Sequence, residues 1–71
     1  MGLAADSTRG DFFITFEISR QPRRTATPDH EPWSLADIVN GFWITPDYVP
    51  CRPNQGKYFI PASRIMLIER R

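Results

Sequence analysis

The side chains of this sequence best suited to nucleophilic catalysis are those of its single cysteine, Cys51, and its single histidine, His30. A cysteine nucleophile needs a base within hydrogen-bonding reach and a third group that orients the base. The two residues fall on opposite sides of a predicted hairpin, and no spacing specifies the third group. The sequence therefore favours a strand-end cysteine that packs as a small hydrophobe and a solvated loop histidine. It predicts that the protein is not an enzyme.

Acidic residues are scattered along the chain, and only Asp29, His30 and Glu31 form a group of metal-binding side chains. Neighbouring residues in a loop rarely converge on one ion, and a structural zinc site takes four ligands. The sequence also has no phosphate-binding glycine loop, no CxxC and no HExxH pattern. We therefore expect neither a metal site nor a cofactor.

Arginines form the clearest local charge cluster, which consists of Arg20, Arg23 and Arg24. Guanidinium groups pair in bidentate fashion with carboxylates or phosphates, so this cluster is suited to binding a partner. The alternative is that the three arginines neutralise Asp29 and Glu31 within the same chain.

Aromatic residues are more numerous than a core of this size needs: five Phe, two Trp and two Tyr. Phe42 and Trp43 are neighbours, so on a strand they point to opposite faces and one of them reaches the surface. Exposed aromatics beside arginines form either a stacking surface for single-stranded nucleic acid or the centre of a protein interface. The alternative is that both tryptophans lie in the core. The predicted partner-binding residues are Arg20, Arg23, Arg24, Trp33, Trp43, Tyr48, Arg52, Lys57 and Arg64.

The first element that positions these side chains is a strand. Phe12, Ile14, Phe16 and Ile18 alternate with mostly polar residues, and this period of two predicts a half-buried strand over residues 11–19. Residues 20–32 contain three prolines and no large apolar side chain, which predicts a long loop. Long loops in compact domains often bind partners.

Residues 33–45 fit two structures. Asn40 and Gly41 lie between two apolar pairs, which predicts a hairpin with a type I′ turn. Alternatively, Ser34 caps a short helix over about residues 34–40, and Gly41 follows its end. The sequence favours the hairpin and leaves the helix open.

Residues 56–70, GKYFIPASRIMLIER, indicate a strand, a proline that ends it, a 3₁₀ turn at residues 62–64 and a last strand. The four apolar residues at 65–68 are typical of a strand covered on both faces. This order resembles the end of SH3-like small β-barrels, whose long loop after the first strand corresponds to residues 20–32. The resemblance implies a mainly β fold, a small five-stranded SH3-like barrel. The alternative is an α+β fold, in which an antiparallel sheet carries the short helix.

Length and composition predict one small β-rich domain over residues 11–71, preceded by a flexible arm over residues 1–10. A chain of 71 residues buries only about 60% of its surface on folding, and one cysteine allows no internal disulfide. Aromatic packing or self-association must therefore supply stability. No signal-peptide pattern or long apolar run is present, so we expect a cytoplasmic location and no membrane partner.

Charge is uneven along the chain, although the net charge is only +1. Residues 1–51 carry four arginines against seven acids, a balance of −3, and residues 52–71 carry five cations against one acid, a balance of +4. Such asymmetry can mark a basic binding face, but the total is low for a dedicated nucleic-acid binder.

Together these features favour a non-enzymatic protein-binding module, which docks through its Arg- and Pro-rich loop and its exposed aromatics. Small proteins of this size and composition are common in phages and mobile elements, where many act as inhibitors or adaptors. The alternative is an SH3-like or Sm-like nucleic-acid-binding barrel, whose arginines and lysine contact phosphates. Self-association into a homo-oligomer is a third hypothesis.

Overall fold

A computed structural model describes residues 9–71, which form six strands, one short helix and two 3₁₀ helices. The elements, in chain order, are β1 Phe12–Ile18, β2 Gln21–Ala26, α1 Ala36–Val39, β3 Phe42–Ile44, β4 Pro50–Cys51, η1 Pro53–Gln55, β5 Tyr58–Ile60, η2 Ala62–Arg64 and β6 Ile65–Arg70. The strands form two three-stranded antiparallel sheets, sheet I with the order β2-β1-β6 and sheet II with the order β4-β3-β5. The prediction of a mainly β fold is confirmed. Within residues 9–71 the sheets stay separate, so a closed five-stranded barrel is not confirmed.

Strand β1 is the centre of sheet I, and its alternating sequence explains its position. Phe12, Ile14 and Phe16 are at most 2% exposed, which confirms the predicted buried face. The ring of Phe16 meets that of Phe42 edge to face, with 5.5 Å between centroids and 87° between planes. Because Phe42 belongs to sheet II, this contact joins the two sheets across the core. Edge-to-face aromatic pairs are worth about 0.5–1.5 kcal/mol beyond their area burial.

The predicted loop over residues 20–32 is wrong for residues 21–26, which form strand β2 and pair with β1. Ser19 and Arg20 both have positive φ, 53° and 65°, and Ile18 pairs directly with Gln21. This is a two-residue hairpin, a geometry that usually selects Asn and Gly rather than Ser and Arg. Strand β2 is an edge strand of sheet I and pairs with a neighbour on one side only. Pro22 is tolerated there because an edge strand does not need every backbone N–H for a ladder hydrogen bond.

The hairpin predicted at Asn40-Gly41 is also wrong, and the helical alternative is confirmed by α1, although the helix spans Ala36–Val39 and its N-cap is Leu35 instead of the predicted Ser34. The carboxylate of Asp37, in the first turn of the helix, accepts a hydrogen bond from the Ser34 N–H at 2.9 Å. This bond satisfies a backbone donor just before the helix begins. Ile38 is fully buried in the core. Gly41 follows the helix with a φ of 105°, a conformation that favours glycine.

The end of the chain follows the predicted order, with Pro61 ending β5 and a 3₁₀ helix at 62–64. The prediction that residues 65–68 are covered on both faces is wrong. Met66 is 59% exposed and Leu67 52% exposed, while Ile65 and Ile68 pack against the core. A register shift between Thr15 and Phe16, which leaves Met66 without a partner on β1, accounts for two adjacent exposed residues, because a bulge interrupts the alternation of faces.

Residues 1–8 of the predicted arm lie outside the described residues. Gly10 is attached to the domain, because its N–H donates to the Trp33 carbonyl at 2.8 Å and its carbonyl accepts from the Trp33 N–H at 2.9 Å. The side chain of Arg9 contacts Asp37 at 3.2 Å. Residues 9 and 10 therefore both contact the rest of the described chain.

We predict that Phe16→Ala lowers the free energy of unfolding by about 3–5 kcal/mol, because it removes a fully buried ring and leaves a cavity. Chemical denaturation monitored by circular dichroism measures this loss. Phe13→Ala is the matched control, since Phe13 lies on the same strand but is only half-buried on the opposite face. Equal losses in the two variants would contradict the assignment of faces.

Candidate partner-binding site

Trp33 is placed in the core rather than at the surface. Its side chain is 1% exposed, and the guanidinium of Arg52 lies 4.2 Å from the centroid of its ring. Among the described residues, the indole Nε1–H of Trp33 finds no hydrogen-bond partner. This predicted binding residue is therefore not part of the exposed surface of the described residues.

Arg52 also belongs to an internal cluster of charges. Its Nε lies 2.8 Å from Glu31 Oε2 and its Nη1 lies 3.7 Å from Asp37 Oδ2. Desolvation raises the pKa of Asp37, but the hydrogen bonds from Ser34 and the charges of Arg52 and Arg9 together hold that pKa below its ordinary value. The cluster ties helix α1 to the segments on either side of it.

Arg23 and Arg24 lie on β2 and stack on aromatic rings of the same chain. Arg23 lies 4.2 Å from the centroid of Tyr48, and Arg24 lies 4.0 Å from that of Phe13. Arg24 also pairs with Glu69 at 3.4 Å. These contacts are with residues outside the segment 20–32, so the arginine cluster does not neutralise the acids beside it in sequence.

The acids of that segment find other partners. Asp29 pairs with Arg71 at 2.9 Å and Glu31 pairs with Arg52. Three of the predicted basic residues remain: within residues 9–71 the side chains of Arg20, Lys57 and Arg64 make no ion pair or hydrogen bond. They lie on three different connections, the β1–β2 turn, the residue before β5 and the end of η2.

Tyr48 adopts an unusual backbone conformation for a bulky residue, with a φ of 66°. Its N–H donates to the Thr45 carbonyl at 2.9 Å, and the Thr45 N–H donates to the Val49 carbonyl at 2.9 Å. Glycine is the usual residue in this left-handed conformation, because the left-handed region costs other residues about 1–2 kcal/mol. The ring of Tyr48 packs against the core and under Arg23, which offsets that cost.

Trp43 and Phe59 form the most open aromatic pair among the described residues, and we call them the aromatic face. They lie opposite each other on β3 and β5, on the side of sheet II that faces away from the core. Their ring centroids are 5.4 Å apart and their planes are tilted by 60°. Phe59 is 46% exposed, and Trp43 is half-buried.

Two glycines let these rings lie directly on the backbone. A Cβ atom at Gly56 would lie 2.6 Å from atoms of the Trp43 side chain, and one at Gly41 would lie 2.5 Å from Phe59 Cζ. Real Cβ atoms do not come so close to their neighbours. The glycines therefore leave the space that both rings of the aromatic face occupy.

The sequence predicted Trp43 as a binding residue and missed Phe59. The signal was present, because Tyr58 and Phe59 are neighbours on a strand and must point to opposite faces, as Phe42 and Trp43 do. The same reasoning applied to β5 would have found Phe59.

Cys51 is 6% exposed and lies opposite Trp43 in sheet II. Burial, and to a smaller extent the charge of Glu31, raises the pKa of the Cys51 thiol. Since the thiolate is the reactive form, this environment suppresses thiol chemistry at neutral pH. His30 lies exposed in the turn that precedes Trp33.

No protein-family model matches this chain, and neither the curated proteins nor the solved structures contain a significant match to it. Within residues 9–71, no group of three His, Cys, Asp or Glu side chains is arranged to hold a metal ion. No helix of the same residues is long and apolar enough to cross a membrane.

We predict that Gly56→Ala displaces the Trp43 ring, because the new Cβ and the ring cannot occupy the same space. The φ of Gly56 is −81°, so the substitution adds no backbone strain of its own. We expect a loss of about 1–3 kcal/mol in unfolding free energy, as is typical of overpacking. In an amide-correlation NMR spectrum, the indole signal of Trp43 should shift while that of Trp33 stays in place.

Gly10→Ala is the control for this substitution, because its Cβ would meet only the guanidinium of Arg70 at 2.8 Å, the end of a flexible side chain. An unchanged Trp43 signal in Gly56→Ala would contradict the contact between the glycine and the ring.

A second substitution tests the charge cluster at Arg52. The lowered pKa of Asp37 means that its ionised form stabilises the fold above pH 3.8, its ordinary pKa, and that this contribution is lost as the pH falls through the folded-state pKa. We expect Asp37→Asn to lower the unfolding free energy by about 1 kcal/mol at neutral pH. The difference should shrink at acid pH in denaturation curves measured at several pH values. Asp47→Asn, at an exposed turn residue, should leave the unfolding free energy unchanged at both neutral and acid pH.

Proposed function

We propose that this chain is a non-enzymatic protein-binding module that docks through the aromatic face of Trp43 and Phe59. The observation that carries the proposal is the outward position of this tilted aromatic pair, which packs closely against glycine backbone and is partly open to solvent. Rigid aromatic side chains bind partners at low entropic cost, and tryptophan and tyrosine are enriched among interface hot spots. An inhibitor or an adaptor needs only such a surface, because it acts by covering or bridging its targets.

The charge around the aromatic face suggests the chemistry of the partner. Lys57 directly precedes β5, is exposed and makes no ion pair or hydrogen bond within residues 9–71. A carboxylate on the partner would complement this ammonium group at the rim of the contact, where it improves specificity and association rate. We therefore propose an apolar partner surface bordered by at least one acidic residue.

A protein partner fits these charges better than a nucleic acid. Of the nine basic residues, Arg9, Arg23, Arg24, Arg52, Arg70 and Arg71 contact acids or rings of the same chain. Only Arg20, Lys57 and Arg64 have no such contact within residues 9–71, and they lie on three different connections. Phosphate binding needs several convergent cations, since each phosphate contact adds to the electrostatic affinity.

The proposal predicts that Phe59→Ala weakens partner binding by about thirtyfold or more, which corresponds to the 2 kcal/mol that defines a hot spot. The measurement begins with affinity capture from native-source lysate, with and without nuclease, and continues with titration of the captured partner. Tyr58→Ala is a closely matched control. Tyr58 is 47% exposed, against 46% for Phe59, but it lies one position earlier and faces the other side of β5.

Loss of binding in Phe59→Ala with retention in Tyr58→Ala supports the proposal. Equal affinity of the two variants contradicts it. Capture that disappears on nuclease treatment, together with binding that weakens steeply with salt, would instead favour the nucleic-acid alternative.

A further inference from the structure

The chain between β4 and β5 crosses the outer side of sheet II. Strands β4 and β5 lie on opposite sides of β3, so residues 52–57 pass over that strand to connect them. They pass over its outer side, because a Cβ atom at Gly56 would lie 2.6 Å from the side chain of Trp43, which faces away from the core. We call residues 52–57 the crossover segment.

The crossover segment is bonded to the rest of the described chain only at its two ends. Residues 53–55 are exposed, and η1 contains no buried residue. At one end the Lys57 N–H donates to the Ile44 carbonyl at 2.8 Å, and the segment's other backbone hydrogen bonds are internal. At the other end the guanidinium of Arg52 makes ion pairs. Among the described residues, Arg52 is thus the only side chain of the segment that forms a hydrogen bond or ion pair.

Arg52 reaches two other parts of the chain at once. Its Nε lies 2.8 Å from Glu31, just before Trp33, and its Nη1 lies 3.7 Å from Asp37 in helix α1. The side chains of all three charged residues are about one-third exposed or less, and partly buried pairs are screened less than exposed ones. A guanidinium presents its N–H groups in a rigid plane, so it can contact both carboxylates together.

Helix α1 leads to the second ring of the aromatic face. The helix ends at Val39, and the N–H of Gly41 donates to the Ile38 carbonyl at 2.9 Å. A Cβ atom at Gly41 would lie 2.5 Å from Phe59 Cζ, so the backbone that follows α1 is in direct contact with this ring. Arg52 therefore joins the segment that contacts one ring to the helix that precedes the contact with the other.

We propose that Arg52 is a positioning residue for the aromatic face. By holding the crossover segment to α1, it keeps both backbone supports in place and so sets the separation and tilt of the Trp43 and Phe59 rings. A change of charge at Glu31 or Asp37 would then alter an apolar binding surface that contains neither residue. This inference rests on the proposed function for its role in binding, because Arg52 acts through the rings and not on a partner.

NMR spectroscopy of the free chain tests the proposal. The Hα atoms of Gly41 and Gly56 lie against the two rings, so ring currents displace their signals from random-coil positions. We expect Arg52→Gln to move both glycine signals towards those positions, because the crossover segment and α1 are no longer held together. Circular dichroism establishes that the variant is folded.

Arg23→Gln is the matched control. Arg23 also lies 4.2 Å from the centroid of an aromatic ring, that of Tyr48, as Arg52 does from that of Trp33. It lies on β2, however, and within residues 9–71 it pairs with no acid. Both variants lose a stacked cation, but only Arg52→Gln releases the crossover segment. The two glycine signals should stay in place in Arg23→Gln.

Glu31→Ala provides a second variant if Arg52→Gln fails to fold. It removes the 2.8 Å ion pair and keeps the guanidinium that lies over Trp33. We expect it to move both glycine signals in the same direction as Arg52→Gln, and the same criteria decide the result.

Movement of both glycine signals with none in Arg23→Gln supports the proposal. Unchanged signals overturn it, and so does movement of Gly56 alone, because α1 would then not depend on Arg52. Equal movement in Arg23→Gln also overturns it, since the effect would follow from any loss of stability. No partner enters this measurement, so its failure concerns Arg52, whereas equal affinity of Phe59→Ala and Tyr58→Ala concerns the proposed function.

Discussion

The structure depends on the buried face of β1. Phe12, Ile14 and Phe16 are the inward side of the only strand in sheet I that has a neighbour on both sides, and Phe16 contacts Phe42 of sheet II. With no disulfide possible in a chain with one cysteine, this packing and the surrounding core hold two small sheets together. This core also determines the positions of the outward-facing features, which include the aromatic face and the edge of β6.

Most of the arginines stabilise the fold. Five guanidinium groups lie over aromatic rings of the same chain, within 5.0 Å of their centroids. Such contacts are worth about 0.5–1 kcal/mol at exposed sites and more when desolvated. In a domain whose stability margin is thin because of its size, these stacks extend the core to the surface. They also explain why clustered arginines in the sequence do not become a clustered positive surface, and why the few open aromatics are the better binding candidates.

The sequence predicted the elements whose signal is local. The alternation in β1, the proline that ends β5 and the 3₁₀ helix after it all follow from neighbouring residues. The errors concern tertiary context: Pro22 is acceptable in β2 only because β2 is an edge, and the Asn40-Gly41 turn ends a helix because Ile38 is buried. Composition could not show that Trp33 is covered by Arg52 while Trp43 is half-open. Phe59 could have been predicted in the same way as Trp43, because neighbouring residues on a strand point to opposite faces.

We propose that a partner binds the outer side of sheet II. The most direct measurement is an amide-correlation NMR titration of the labelled chain with its captured, nuclease-treated partner. We expect the shifted signals to centre on β3 and β5 around Trp43 and Phe59, with Lys57 at their margin. Shifts centred instead on the β1–β2 turn at Arg20 and on the arginines of β2 would contradict this claim, because those residues lie on the other sheet.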